Sequence, residues 1–119
     1  MGAPGIGAPG VSPPPRAVVA RVALHCRDLL FGSKVEGALR AAGYEVARGG
    51  DAADLVIVDL TDPDLPWPEA AGAPRLGFYS HVDQETRRRA EEAGFDLVVP
   101  RSRMNREGPA LVDKLLSGG

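Results

Sequence analysis

The fold of this chain is decided by one stretch, Asp54-Leu55-Val56-Ile57-Val58-Asp59-Leu60-Thr61-Asp62. Its apolar residues, most of them β-branched, run without a break between acids and stop at Asp59. A short apolar run without alternation is typical of a strand buried on both faces of a parallel sheet. Open α/β sheets form their sites beyond the carboxyl ends of such strands. The stretch therefore predicts a central parallel strand with Asp59 as a candidate site residue.

The segments around this strand alternate between strand and helix patterns. Apolar, β-branched runs predict further strands over residues 18–25, 44–47, 75–80 and 95–100. A first helix follows the first strand, ends at Gly43, and has one apolar face formed by Phe31, Val35, Ala38, Leu39 and Ala42. Asp83 is predicted to cap a second helix, and Pro109 to open a last one with Leu111, Val112, Leu115 and Leu116 facing inward.

Two connections have little room for a helix. Gly49-Gly50-Asp51 leads almost directly into the central strand, and the three prolines of Asp62-Pro63-Asp64-Leu65-Pro66-Trp67-Pro68 disfavour a helix after it. Strands alternating with helices predict a doubly wound parallel sheet with right-handed crossovers. We therefore expect a three-layer α/β fold with five parallel strands, in which the helices after strands 2 and 3 are shortened or missing.

Composition limits the class of protein. Residues 1–16 are mostly Gly, Ala, Pro and Ser and predict a disordered tail, which leaves 17–119 as a single domain. The formal net charge of −2 argues against general nucleic-acid binding. A single cysteine, Cys26, excludes an internal disulfide and a multi-cysteine zinc site. Because neither a membrane-span pattern nor a signal-peptide pattern is present, we expect a cytoplasmic location without membrane contact.

The chain resembles the CheY-like receiver domain of bacterial response regulators over residues 20–117. Three segments carry the resemblance: Arg21-Val22-Ala23-Leu24 through Ala41-Ala42-Gly43-Tyr44-Glu45-Val46, the central strand with Pro63-Asp64 after it, and Gly94-Phe95-Asp96. It implies a flavodoxin-like strand order of 2-1-3-4-5. It also implies that Asp59 corresponds to the phosphoacceptor, Ser80 to the hydroxyl residue, and Arg101 to the usual lysine.

The resemblance fails where a receiver has its pair of magnesium-binding acids. Cys26 and Arg27 occupy those positions, and Asp28 could supply one ligand at best. A thiol and a cation are poor substitutes for hard oxygen ligands. We therefore expect no cofactor, and weak magnesium binding only if the site still accepts a phosphoryl group. We also expect Arg27 or Arg101 to pair with Asp59 and hold the site in one state.

These features predict a stand-alone, degenerate receiver (a pseudo-receiver) that acts by protein–protein interaction without phosphorylation or catalysis. The partner is unidentified, and it could be a second copy of the chain. An alternative is an atypical response regulator phosphorylated on Asp59. A second alternative is a small-ligand or anion-binding protein that uses the arginines at the strand ends.

Several other residues have both a functional and a structural interpretation. Ser80 and His81 could suggest a serine hydrolase, but a catalytic triad needs the histidine beside the serine, and adjacent residues of a strand point to opposite faces. We therefore predict that both residues lie near the pocket without a catalytic role. Cys26 could be a reactive thiol if Arg27 lowers its pKa, or simply a small buried residue. The arginines at 87–89, 101, 103 and 106 predict either a solvated face or a docking surface. His25 is predicted to be a hydrogen-bonded core histidine, and Trp67 either an interface anchor or a cover for the sheet.

Overall fold

The computed structural model describes residues 19–50, 53–69, 72–80 and 84–117. Its elements, in chain order, are β1 (Arg21–His25), α1 (Leu29–Ala41), β2 (Glu45–Arg48), β3 (Leu55–Asp59), β4 (Arg75–Tyr79), α2 (Gln84–Glu92), β5 (Leu97–Pro100) and α3 (Arg101–Leu116). The predicted tail 1–16, and the ends of the domain assigned to 17–119, lie outside these residues.

The strands form one parallel sheet of order β2-β1-β3-β4-β5, as predicted. β3 is the middle strand, and all of its residues are buried because α1 and α3 cover one face and α2 lies on the other side of the sheet. Every carboxyl end therefore lies at one edge of the sheet, which places Asp59 beside the end of β1.

The layer on the α2 face is thin. Within the described residues no helix connects β2 to β3 or β3 to β4, in agreement with the expectation of shortened or missing helices. Leu65 and Trp67 of the proline-rich connection pack on this face instead, against a cluster that contains Val58 and Phe95. The Trp67 and Phe95 rings meet edge to face, with 5.4 Å between their centroids. Trp67 thus covers the sheet where a helix is missing, one of its two predicted roles.

Helix α1 has a narrower buried face than predicted. Phe31, Val35 and Leu39 are buried, but Ala38 and Ala42 are exposed. Together with buried Gly32 these residues form one stripe of α1, and the helix packs on α3 and β2. The prediction failed at the alanines because their small side chains add little area to a buried face.

The last helix begins earlier than predicted. α3 starts at Arg101, directly after β5, and Pro109 lies inside it instead of opening it. Met104, Gly108, Leu111 and Val112 form its buried side, and Leu115 and Leu116 are partly buried. The packing of the two helical turns before Pro109 stabilises the helix by more than the missing backbone hydrogen bond of Pro109 costs.

Strand ends differ from the predictions by small shifts. β1 begins at Arg21, later than the predicted residue 18, and β2 is shifted by one residue to Glu45–Arg48. The predicted cap Asp83 lies outside the described residues. In the described part of the chain, no helix is both long and apolar enough to span a bilayer.

Candidate functional site

Asp59 is the buried acid at the carboxyl edge of the sheet. It ends β3 and is 5% exposed. Its Oδ1 accepts a hydrogen bond of 2.9 Å from the backbone N–H of Thr61, and its Oδ2 lies 3.8 Å from the Sγ of Cys26. The carboxylate is therefore held by the turn after its own strand and by the residue that follows β1.

Cys26 is a buried thiol that stays protonated. Burial is the main cause that raises the pKa of the Cys26 thiol, and the nearby carboxylates of Asp59 and Asp28 raise it further. A backbone hydrogen bond at Asp28 and the charge of Arg48 oppose this only in part. Arg27, which pairs with Asp62, is not among the groups that lower this pKa, so the structure supports the buried-residue interpretation of Cys26 over the reactive-thiol one.

Arg27 is an exposed residue that pairs with Asp62, and not with Asp59. Its Nε lies 3.6 Å from Asp62 Oδ2, and its side chain is 62% exposed. The short connection after β3 brings Asp62 up to this arginine. Arg27 therefore holds the proline-rich connection against the end of β1.

Asp28 is the N-cap of α1. Its Oδ1 accepts a hydrogen bond of 3.0 Å from the backbone N–H of Phe31, and its Oδ2 accepts one from Arg101. These two donors, the Phe31 N–H first, lower the pKa of the Asp28 carboxyl. The guanidinium of Arg101 also lies 4.2 Å above the centre of the Phe31 ring. Arg101 is therefore bound to α1.

The prediction that Asp59 pairs with Arg27 or Arg101 was therefore wrong. Within the described residues, Arg27 and Arg101 form their ion pairs with Asp62 and Asp28, and Asp59 forms none. Each guanidinium group thus already has an acidic partner, although the Arg27 pair is exposed and contributes little.

The structure does not bring all predicted pocket residues together. Cys26 contacts the carboxylate of Asp59 and the backbone carbonyl of Asp28, whose carboxylate binds Arg101. Ser80 directly follows β4 at the same edge and is exposed, and His81 lies outside the described residues. His25 is half-buried, and its Nε2 donates a hydrogen bond of 2.8 Å to the carbonyl of Gly50; the predicted hydrogen bond is present, but His25 is not a core residue.

The arginines of α2 form a solvated face. Arg87 pairs with Glu91, and Arg88 pairs with Glu85 and Glu92. These partners lie three or four residues away on the same exposed helix surface, as in isolated helices. This supports the structural interpretation of the arginine run.

Two features of the site were missed in the sequence. Leu29 and Leu30 are 75% and 82% exposed, although they open a helix directly beside Cys26. Arg48 donates a hydrogen bond of 2.8 Å from Nη2 to the carbonyl of Cys26 and lies over Gly32, where a Cβ would be 2.6 Å from Nη2. The leucines could have been found, because they are out of phase with Phe31 and Val35 in the helical repeat.

The comparisons with known proteins identify the fold. No family model and no curated protein matches this chain. Among solved structures, it is similar to a CheY-like response regulator receiver domain protein from Methanospirillum hungatei, with TM-score 0.69, 16% identity, and coverage of 84% of this chain and 95% of that one. A LuxR-family two-component response regulator from Aurantimonas sp. is similar with a TM-score of 0.65 and 26% identity, and the match covers 84% of this chain and 86% of that one. HP1043, an orphan response regulator of H. pylori, is similar with a TM-score of 0.67 and 19% identity, and the match covers 86% of this chain and 99% of that one.

The chain has the receiver-domain fold. The strand order and the resemblance over residues 20–117 agree with these neighbours.

The residues present do not fit the magnesium ion that receiver domains hold. Cys26 is a protonated thiol, Arg27 is a cation, and the carboxylate of Asp28 is occupied by Arg101 and the N–H of Phe31. Among the described residues, no three His, Cys, Asp or Glu side chains group together in a way that could hold a metal. We derive no step through a metal at this site.

Proposed function

We propose that this chain is a receiver-like signalling module that acts in the cytoplasm through protein–protein interaction and without phosphorylation. It is not an enzyme and needs no cofactor, membrane or nucleic acid. The observation that carries the proposal is the engagement of Asp28: the one carboxylate beside the replaced acid pair is bound by Arg101 and by the N-terminus of α1.

Charge explains why phosphoryl transfer is disfavoured. A carboxylate that attacks an anionic phosphoryl donor needs a cation to neutralise the developing charge. Arg27 and Arg101, the arginines that were expected to pair with Asp59, are each paired with another acid, and Arg48 donates to the carbonyl of Cys26. Asp59 is buried beside a protonated thiol, and neither the thiol nor the Thr61 N–H carries a positive charge. Asp59 therefore serves as a structural acid that orients the β3 turn.

The exposed leucines beside the site support an interaction role. Leu29 and Leu30 are two of the three large apolar side chains that the described residues leave exposed. Leu29 also lines an apolar cleft of about 430 Å³ with Leu24, Cys26 and Leu65. Exposed apolar side chains next to a cleft are typical of a protein contact surface. The partner is a protein, and a second copy of the chain is one candidate.

The alternative is that Asp59 still accepts a phosphoryl group. It ends the central strand and forms no ion pair within the described residues, so its carboxylate is not held by a cation there. This alternative needs magnesium to bind at a carboxylate that Arg101 would have to release.

The deciding experiment is intact-mass measurement after incubation of the full chain with magnesium and acetyl phosphate. We expect no phosphoryl adduct on the wild-type protein. The matched variant Cys26→Asp/Arg27→Asp restores the acid pair and should gain magnesium binding and an adduct, which shows that the assay detects a competent site.

The control Asp59→Asn identifies the modified residue. A wild-type adduct that disappears in Asp59→Asn would overturn the proposal and establish the alternative. An adduct that persists in this variant would point to another residue, and Asp59 would keep its structural role.

A further inference from the structure

A cavity of about 640 Å³ lies at the edge of the sheet opposite to Asp59. It is lined by Trp67, Glu69, Pro74, Arg75, Gly94 and Asp96, at the amino ends of β4 and β5. Half-buried Trp67 contributes its aromatic ring to this cavity and to a second, smaller one on the α2 side. Neither the receiver fold nor the site around Asp59 uses this cavity.

The lining combines the Trp67 ring with two acids, Glu69 and Asp96, and one cation, Arg75. The Trp67 ring is held by the edge of Phe95 and by the Arg89 guanidinium, which lies 5.2 Å from the ring centre. Arg75 is fixed beneath it by a hydrogen bond of 3.0 Å to the carbonyl of Pro68 and by stacking on Phe95. Glu69 is exposed and forms no ion pair within the described ranges.

The described chain begins at the same edge. Val19 is 48% exposed and precedes β1, and all strands are parallel, so the amino ends of β1 and β4 lie side by side with only β3 between them. Two strand spacings amount to about 10 Å. A segment that precedes Val19 therefore starts within a short distance of the cavity.

The segment before Val19 has the chemistry that fits this lining. Pro13-Pro14-Pro15 ends four residues before Val19 and is followed directly by Arg16. Four residues of extended or polyproline II chain reach about 12 Å, which matches the separation of the strands. Polyproline II segments dock on aromatic-lined grooves, because they lose little conformational entropy on binding. Arg16 would complement the carboxylate of Glu69.

We propose that the cavity beside Trp67 is a docking site for the chain's own Pro13-Pro14-Pro15-Arg16 segment. The prolines contact the Trp67 ring, and Arg16 pairs with Glu69. The proposal is independent of the interaction role assigned to the Asp59 edge, since the two sites lie at opposite edges of the sheet.

The test uses the single tryptophan of the chain as a local probe. The full-length variant Pro13→Ser/Pro14→Ser/Pro15→Ser should show a red shift of the Trp67 emission and a higher acrylamide quenching constant than the wild type. The matched control Pro4→Ser/Pro9→Ser removes prolines farther from Val19 and should leave both values unchanged. Far-UV circular dichroism of each variant reports that the fold is retained.

Two further measurements make the outcome decisive. Arg16→Glu should raise the quenching constant in the same direction as the triple variant, because it places like charges together. Equal emission and quenching for the wild type and the triple variant would overturn the proposal. A quenching constant that falls as the wild-type protein is concentrated would mean that a second copy supplies the segment, and the intramolecular contact would be wrong.

Discussion

Cys26 shows how a single residue changes the chemistry of the site. It lies where a receiver domain has a metal-binding acid, and burial together with Asp59 keeps its thiol protonated. Thiolates, and not thiols, are the reactive and metal-binding form of cysteine. We therefore expect Cys26 to act as a packing residue in the native protein.

The charge of Asp59 can be detected through Cys26. Asp59→Asn removes a carboxylate that raises the thiol pKa, so we expect Cys26 to react faster with iodoacetamide at a fixed, mildly alkaline pH. Asp64→Asn, an acid exposed in the same connection, is the control and should leave the rate unchanged. An unchanged rate in Asp59→Asn would show that the two groups are not electrostatically coupled.

Asp28 makes the stability of the fold depend on pH in the acidic range. The Phe31 N–H and Arg101 lower the pKa of the Asp28 carboxyl in the folded state. The carboxylate therefore contributes to the free energy of unfolding above its unfolded pKa, and this contribution is lost as pH falls through the folded pKa. Asp28→Asn should lower the urea midpoint of unfolding near about pH 7, and this difference from wild type should shrink below about pH 4. A difference that stays constant over this range would assign the effect to the cap hydrogen bond alone.

At the scale of an element, β4 depends on the absence of a side chain at Gly77. A Cβ there would lie 2.6 Å from Leu60 Cδ1 and 3.1 Å from Phe95 Cδ2. The α2 face is covered by the connection after β3 and not by a full helix layer, so Leu60 sits directly on the strand. The close approach of Leu60 is what fills the space that a helix would otherwise fill.

This packing predicts opposite effects for alanine at two glycines. Gly77→Ala should lower the free energy of unfolding by about 1–3 kcal/mol, since it overpacks the contact with Leu60. Gly37→Ala, at an exposed position of α1 with no neighbour within 4 Å, should raise it by about 0.5–1 kcal/mol. Urea denaturation measures both changes. If Gly77→Ala were neutral, Leu60 would have room to move and the connection would not be tightly packed.

At the scale of the whole molecule, the fold could be predicted from the sequence, but the pairing of its charges could not. The unbroken apolar run of β3 and the prolines after it are local signals, and they predicted the central strand and the thin α2 layer. The partners of Arg27 and Arg101 depend on where long, flexible side chains meet across three separate connections. Sequence reasoning therefore placed both arginines at the correct edge and assigned them the wrong acid.

The start of α3 failed for a related reason. Pro109 is a local signal for the first turn of a helix, but the packing of Met104 and Gly108 on the sheet extends the helix back to Arg101. Exposed Leu29 and Leu30 show the converse, since a local apolar signal there leads to no burial. Burial is a property of the whole molecule, and a pattern predicts it only where a neighbouring element is present to cover it.

The two outer strands also affect how copies of the protein behave in concentrated solution. β2 and β5 are each four residues long, and among the described residues no further strand pairs with their outer edges. Such edges promote amyloid-like stacking unless something disrupts it. Here Glu45 and Arg48 place charges along β2, and Pro100 ends β5 without an N–H to donate. We therefore expect both edges to resist pairing with a second copy of the sheet.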